Sequence, residues 1–310
     1  MKKDFKNTES ISGRLYQHSL VKKTVQNKES KNYGTEFISG TVDIAVDEEG
    51  LNVIPIHYTY VVATTSTGKA NATYNVLESI INGAKTWITD GKDAALKVRA
   101  STSLALNDFY NQNDELVSAK RNEGGFLNTI NELPPENERA TFAFDMVITS
   151  TTRVEAEDEN TEDFVRVKGG IFNFRKALLP VEIVCRDEQG MPYFESLDAS
   201  PSEPVFTEVR GNVVSNTIKR EIEEESAFGS ASVRTVTRTV REWQITWARP
   251  TEYVFGEEDT ITAEELTKAM QDRQVYLAEI KKRADDYKAS RATTQTAPKA
   301  SSVPEGGFDF

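Results

Sequence analysis

Val165-Arg166-Val167-Lys168-Gly169-Gly170-Ile171-Phe172-Asn173-Phe174-Arg175-Lys176 is the stretch on which the fold turns. Side chains alternate across a β-strand, so one face reads Val165, Val167, Ile171 and the other Arg166, Lys168, Phe172, Phe174, Lys176. Folding alone gives a strand no reason to bury a plain aliphatic face while turning cations and two aromatic rings the other way. That outer face suits stacked bases and phosphates.

Toward the N-terminus the same sorting yields a similar pattern. Across Ile11 to His18 the apolar set is Ile11 and Leu15, leaving Arg14, Tyr16 and His18 opposite. Across Thr35 to Val46 the core set is Ile38, Val42, Ile44 and Val46, and Phe37 stands stranded among Ser39, Thr41 and Asp43. Ile54, Ile56, Tyr58, Tyr60 and Val62 are continuous and read as buried, which places His57 and Thr59 outward. Arg14, Tyr16, Phe37 and His57 then share one open sheet face. The bland alternative is that a loop or helix covers Tyr16 and Phe37.

A chain of 310 residues accommodates two ordinary domains, or one elaborate domain and a tail. No apolar run reaches the length that spans a bilayer, and polar residues follow the N-terminal Met1-Lys2-Lys3 where a signal peptide would be apolar. The expected location is the cytoplasm, that of the host if the chain is phage-encoded. With one cysteine and two histidines, intramolecular disulfides and a structural zinc site are excluded, and Cys185 reads as a small core residue. No cofactor is implied. The net charge of −12 argues at first against a nucleic-acid partner. Its distribution argues otherwise, because residues 1–31 are basic while acids gather at 155–159, 221–225 and 257–259.

Residues 1–10 read as a flexible N-terminus and 11–154 as a β unit with an inserted helix. Within it, Leu77, Ile80, Ile81, Ala84, Trp87 and Ile88 recur at helical spacing, with Asn75 and Glu78 as a capping box. Residues 94–110 are ambiguous, 111–140 look like a long loop, and Phe142, Phe144, Met146 and Ile148 alternate as a strand. An acidic linker at 155–163 precedes a second β unit at 164–255, with strands near 164–176, 179–186, 192–197, 205–214 and 233–248, the last with a bulge near Arg241. Thr262 and Glu265 cap a helix over 262–289, and 290–310 is a disordered polar tail ending in Gly306-Gly307-Phe308-Asp309-Phe310.

Catalytic patterns fail. Ala63 to Ala70 lacks the first glycine and the magnesium-binding hydroxyl of a phosphate-binding loop. Neither His18 nor His57 sits by a nucleophile elbow, and the carboxylate runs are turn-like, which leaves a metal-dependent nuclease without support from spacing. The chain reads as a non-enzyme.

Barrel-like strands, a plugging helix, outward cations and rings, and a tether with an acidic-aromatic tip together resemble the single-stranded DNA-binding proteins built on the OB-fold. The layout around Ser39-Gly40-Thr41-Val42-Asp43-Ile44 is similar to phage-encoded members. The resemblance implies a mainly β fold with α additions (α+β): OB-like antiparallel barrels, the second unit being a barrel or an extension of the first, with a C-terminal helix and tail. It implies sequence-tolerant binding of single-stranded DNA in replication, recombination or repair. Its members' tails end in several acids and Pro-Phe and recruit partner proteins; here Phe308, Asp309 and Phe310 take that place, with Asp309 where proline would stand. On this reading Phe172, Phe174, Tyr16, Phe37 and Trp243 stack on bases, and Arg14, Lys22, Lys23, His57, Arg166, Lys168, Lys176, Arg234 and Arg238 contribute to the nucleic-acid face. Partners are single-stranded DNA and replication or recombination proteins, with self-association possible and no membrane. The competing reading is a structural or assembly protein of a virion or scaffold, whose outward rings are protein interface.

Overall fold

The computed structural model describes residues 4–156, 162–224, 232–256 and 259–295, with side chains outside 216–238 and up to residue 289. Its strands are β1 (Asn7–His18), β2 (Val21–Thr24), β3 (Glu36–Ala45), β4 (Val53–Val62), β5 (Lys97–Tyr110), β6 (Leu116–Thr129), β7 (Ala140–Val154), β8 (Phe164–Phe172), β9 (Leu178–Cys185), β10 (Val205–Glu224) and β11 (Ser232–Ala248). The helices are α1 (Ala72–Ile81), α2 (Trp87–Asp90), α3 (Met191–Glu195) and α4 (Ala263–Gln295).

Two rings with the same connectivity emerge from the pairing. In the first, β1 pairs with β3, β3 with β4, β4 in parallel with β6, β6 with β5, and β5 with β1. In the second, β7 pairs with β8, β8 with β9, β9 in parallel with β11, β11 with β10, and β10 with β7. Each is a five-stranded Greek-key barrel of order 1-2-3-5-4-1 with helix between its third and fourth strands, the OB arrangement. β1 also pairs with β7, so the eleven strands among the described residues form one continuous sheet. One apolar cluster runs from Ile11, Ile44, Ile56 and Leu104 in the first barrel to Phe144, Val167, Ile183 and Ile245 in the second.

Several local expectations change for physical reasons. Residues 94–110 are largely strand, and nearly half of 111–140 is the strand β6, whose alternation is hidden because only Asn122 and Leu127 of its side chains are buried. The helical run divides at Gly83, whose φ of 112° only glycine adopts readily, and Asn71 caps α1 in place of Asn75. Residues 192–197 fall mostly in α3, nucleated by Asp187, whose Oδ1 accepts from the Gly190 amide at 2.7 Å. The β11 bulge lies at Thr246, where Arg210 faces Trp247 but Gly211 faces Ile245. Tyr60 is 42% exposed because the β3–β4 register shifts between Ile38 and Gly40.

The capping box at α4 forms as read: the Glu265 amide donates to Thr262 Oγ1 at 3.2 Å and the Thr262 amide donates to Glu265 Oε2 at 3.0 Å. The helix then straps the second barrel to the β5–β6 hairpin of the first. Leu266 packs beside Phe172 and Leu178, while Arg273 reaches buried Asp108 at 2.8 Å and Lys281 and Lys288 reach Asp114 at 3.0 and 2.6 Å. Removing one partner of a buried pair leaves the other charge uncompensated. Asp108→Ala should therefore cost about 3–5 kcal/mol in urea unfolding, with faster amide exchange across α4; a loss under ~1 kcal/mol with unchanged exchange would show that the strap is held by other contacts.

Candidate nucleic-acid interface

The outward face of β8 and β9, the second and third strands of the second barrel, carries cations that share carboxylates. Arg166 Nε and Lys168 Nζ lie 2.9 and 3.6 Å from the two oxygens of Glu182. Arg186 grips Glu242 with two hydrogen bonds, of 3.0 and 2.7 Å, and its guanidinium lies 4.6 Å from the centre of the Phe164 ring. Phe164 and Arg186 thus pair an aromatic surface with a fixed positive charge.

Lys120 on β6 joins this face to the first barrel. Its Nζ donates to the Glu182 carbonyl at 2.6 Å and lies 5.2 Å from the centre of the Trp243 ring. Burial pushes the Lys120 pKa down, against Glu182 and Glu242. The next residue, Arg121, pairs with Glu123 at 2.8 Å and lines a small cavity with His57 and Arg241. His57 shares a 3.1 Å hydrogen bond with Thr41 Oγ1, and burial, then Arg121, lowers its pKa. At neutral pH it is therefore a hydrogen-bonding group more than a cation. The strip sets Lys120, Arg121, Arg166, Lys168, Arg186 and Arg241 against Glu123, Glu182 and Glu242, with Glu162 acting on Arg186 and Asp43 on His57.

Of the residues anticipated from the sequence, Arg166, Lys168 and His57 fall on or beside this strip, and others lie elsewhere. Phe172 does not face solvent: it is 4% exposed, against Phe5 at 5.0 Å and Leu266, because α4 and the N-terminal segment cover the second face of β8. Phe174 is 88% exposed, yet it lies past the strand end in a turn that Asn173 organises by accepting from the amides of Arg175 and Ala177 at 2.9 and 3.0 Å. Lys176 occupies the left-handed position of that turn, at φ 62°. Trp243 is buried in the core. Its Nε1 donates to Glu9 Oε1 at 2.7 Å.

Tyr16 falls at a bulge in β1 and leans on Trp87, with ring centroids 6.0 Å apart, while Phe37 packs on Tyr60 at 4.7 Å. Arg14 is tied to Glu48 at 3.1 Å; Lys92 and Arg139, then Arg14, hold that carboxyl down at about 2. Lys22 pairs with Glu78 at 2.5 Å, and Lys23 sits opposite Phe37 on β2, away from the strip. Arg234 and Arg238 belong to β11, where they face Ile222 and Ile218 in register; their side chains lie outside the described residues, as do Phe308, Asp309 and Phe310. The sequence pattern does not single out Lys120, Arg121, Arg186 or Arg241. The first two sat in a presumed loop, whereas Arg186 shares parity with Glu182 and was open to the same sorting as β8.

Two Greek-key barrels, the second with a cationic face over its second and third strands, define a tandem OB-type protein. The chain belongs to the YorF family, whose model matches residues 7–283. No curated protein matches the sequence. Among solved structures it is similar to a deletion mutant of the single-stranded DNA binding protein from Thermus aquaticus, at 10% identity and a TM-score of 0.46, over 84% of this chain and 100% of that one. No helix among the described residues is long and apolar enough to cross a membrane, and no described group of three or more His, Cys, Asp or Glu is placed to hold a metal ion.

Beneath the strip, Glu9 accepts hydrogen bonds from Trp243 Nε1 and from Thr102 Oγ1, the latter at 2.6 Å, and burial pushes its pKa up to about 7 despite them. Between its ordinary 4.5 and about 7, the folded chain holds a proton that the unfolded chain has released. Stability from this group is therefore greatest at low pH and falls as pH rises through about 7. The loss from about pH 5 to about pH 8 should approach ~3 kcal/mol. Glu9→Gln, whose Oε1 still accepts from Trp243 while its Nε2 donates to Thr102 Oγ1, should flatten that part of the urea-unfolding profile. An equally steep profile in the variant would place the titrating group elsewhere.

Proposed function

We propose that the protein binds single-stranded DNA with little sequence preference along the strip from Arg166, Lys168 and Arg186 to Lys120, Arg121 and Arg241, as part of replication or recombination. One observation carries this reading: a single exposed carboxylate, Glu182, serves both Arg166 and Lys168, so the outward side of β8 holds a surplus of positive charge on a chain of net charge −12. Partly exposed ion pairs contribute only about 0–1 kcal/mol, so a phosphate displaces a carboxylate from such a pair at small cost. The second and third strands of an OB barrel are the face that takes oligonucleotides. Contacts to phosphate carry no base information, which accounts for the sequence tolerance. The recruiting role of Phe308, Asp309 and Phe310 rests on the sequence alone.

A titration with a fluorescent oligo-dT should saturate and weaken steeply with added salt. Arg166→Ala combined with Lys168→Ala should lower the affinity and reduce the log–log salt slope by roughly 0.7 for each phosphate contact removed. Glu182→Gln should tighten binding, since it releases two cations. No saturable, salt-sensitive binding at low salt, together with stable oligomers, would favour the assembly reading instead.

A further inference from the structure

A second concentration of rings and guanidinium groups lies on the outer side of β10 and β11. Arg210 stands 4.6 Å from the centre of the Trp247 ring, and Arg249 stands 5.6 Å from Trp247 and 4.4 Å from Tyr253. Trp247 and Tyr253 are 39% and 50% exposed, far more than a fold needs from residues of this size. Behind Tyr253 the ring of Phe255 follows at 4.8 Å, and Phe206 lies 4.8 Å beyond it. The result is a ladder in which cations and rings alternate.

The ladder rests on one buried carboxylate. Glu208 is paired with Lys6 at 3.0 Å, with Arg210 at 2.7 Å and with Arg249. Lys6, Arg210 and Arg249 face two carboxylates, Glu208 and Asp145, which leaves one positive charge in surplus, and Glu208 fixes the guanidinium planes beside the rings. Burial works against the charged form of Glu208, yet Arg249, Lys6 and Arg210 hold its pKa at about 2, so the arrangement persists across the neutral range. Beside the ladder opens a cleft of about 900 Å3, lined by Lys6, Arg210, Asn212 and Thr246 among other polar groups.

We propose that Trp247 and Tyr253, with Arg210, Arg249 and Lys6, form a second contact for single-stranded nucleic acid, continuing the strand bound on the strip around the second barrel. The proposal rests on the single-stranded DNA reading of the strip. Exposed ring faces and guanidinium planes are the surfaces on which unpaired bases stack, and the surplus charge lies level with them for the phosphates. A surface made only for protein contact would have little need of guanidinium groups held against two exposed rings. The path between the sites is polar throughout: Arg186 holds Glu242, Glu242 accepts from Gln244 Nε2 at 3.0 Å, and Gln244 lies opposite Asn212, which lines the cleft beside Arg210. From Glu242 to Trp247 the strand covers about 17 Å, so a short oligonucleotide held on the strip would not reach the ladder.

The test is the length dependence of oligo-dT affinity in the full chain, for wild type, Trp247→Ala, Tyr253→Ala and the double variant. Each replacement should weaken long oligonucleotides on the order of tenfold and leave short ones unchanged, and Trp247→Phe should restore most of the loss. Arg166→Ala with Lys168→Ala should weaken both lengths. Ladder variants that match wild type at every length overturn the proposal, mark the ladder as a protein contact, and leave the strip reading standing. Wild type that binds neither length overturns the strip reading and the ladder with it.

Discussion

β1 must satisfy two hydrogen-bonding edges along its twelve residues, and the architecture depends on how it divides them. Glu9 to Arg14 pair with β5 on one edge. On the other, Arg14 to His18 pair with β3, whereas Asn7 to Ile11 pair with β7. One end of the strand thus closes the first barrel and the other end opens the sheet toward the second. Gly13 stands at the change of partner, where a Cβ would lie 2.2 Å from the Ala45 carbonyl oxygen, so the close approach requires glycine. Glu9 sits in the shared stretch and receives Trp243 from the second barrel, which makes a core hydrogen bond the side-chain counterpart of the backbone junction.

Alternation alone locates β1, β3, β4 and β8 and their aliphatic core residues, because in each such a run meets the core. It failed where a strand is covered twice. Parity assigns Phe172 outward, but α4 and Phe5 bury that side of β8, and nothing in the strand's own spacing announces a cover supplied by Leu266 from a distant helix. Register shifts caused the other misreadings: at Ile38/Gly40 a shift turns Tyr60 out, and at Leu15/Gln17 one displaces Tyr16 toward Trp87. β6 was invisible for the opposite reason, having too little apolar content to alternate, although it carries Lys120 and Arg121. The cationic character of β8 was therefore legible, while its continuation across β6 and β9 emerges only from strands brought together in space.

Charge segregation links these observations to function. The chain is acidic as a whole, yet the described cations concentrate where one carboxylate serves several of them: Glu182 with Arg166 and Lys168, Glu208 with Lys6, Arg210 and Arg249, Glu48 with Arg14, Lys92 and Arg139. These clusters differ in exposure. Arg14 and Arg139 are largely covered and staple loops together, whereas Arg166, Lys168 and Arg210 keep much of their side chains in solvent. Only the Glu182 cluster, whose carboxylate is itself exposed, can exchange that carboxylate for a phosphate without leaving a buried charge unpaired; Glu208 is buried and keeps its cations.

The strip also runs beside the weakest part of each barrel. Both rings close through a parallel pairing of two residue pairs, Ile56 with Asn122 and His57 with Glu123 in the first, Gln244 with Val184 and Ile245 with Cys185 in the second. The antiparallel pairings elsewhere in the rings are longer. A short seam is where a closed sheet opens most readily, and binding surfaces are drawn from such low-stability regions. Lys120 bridges the barrels beside the seams, while α4 and the β1–β7 pairing hold them together elsewhere. A strand of nucleic acid laid across both seams would then gain from a preorganised frame, and its contacts on either side of each seam would favour the closed barrel.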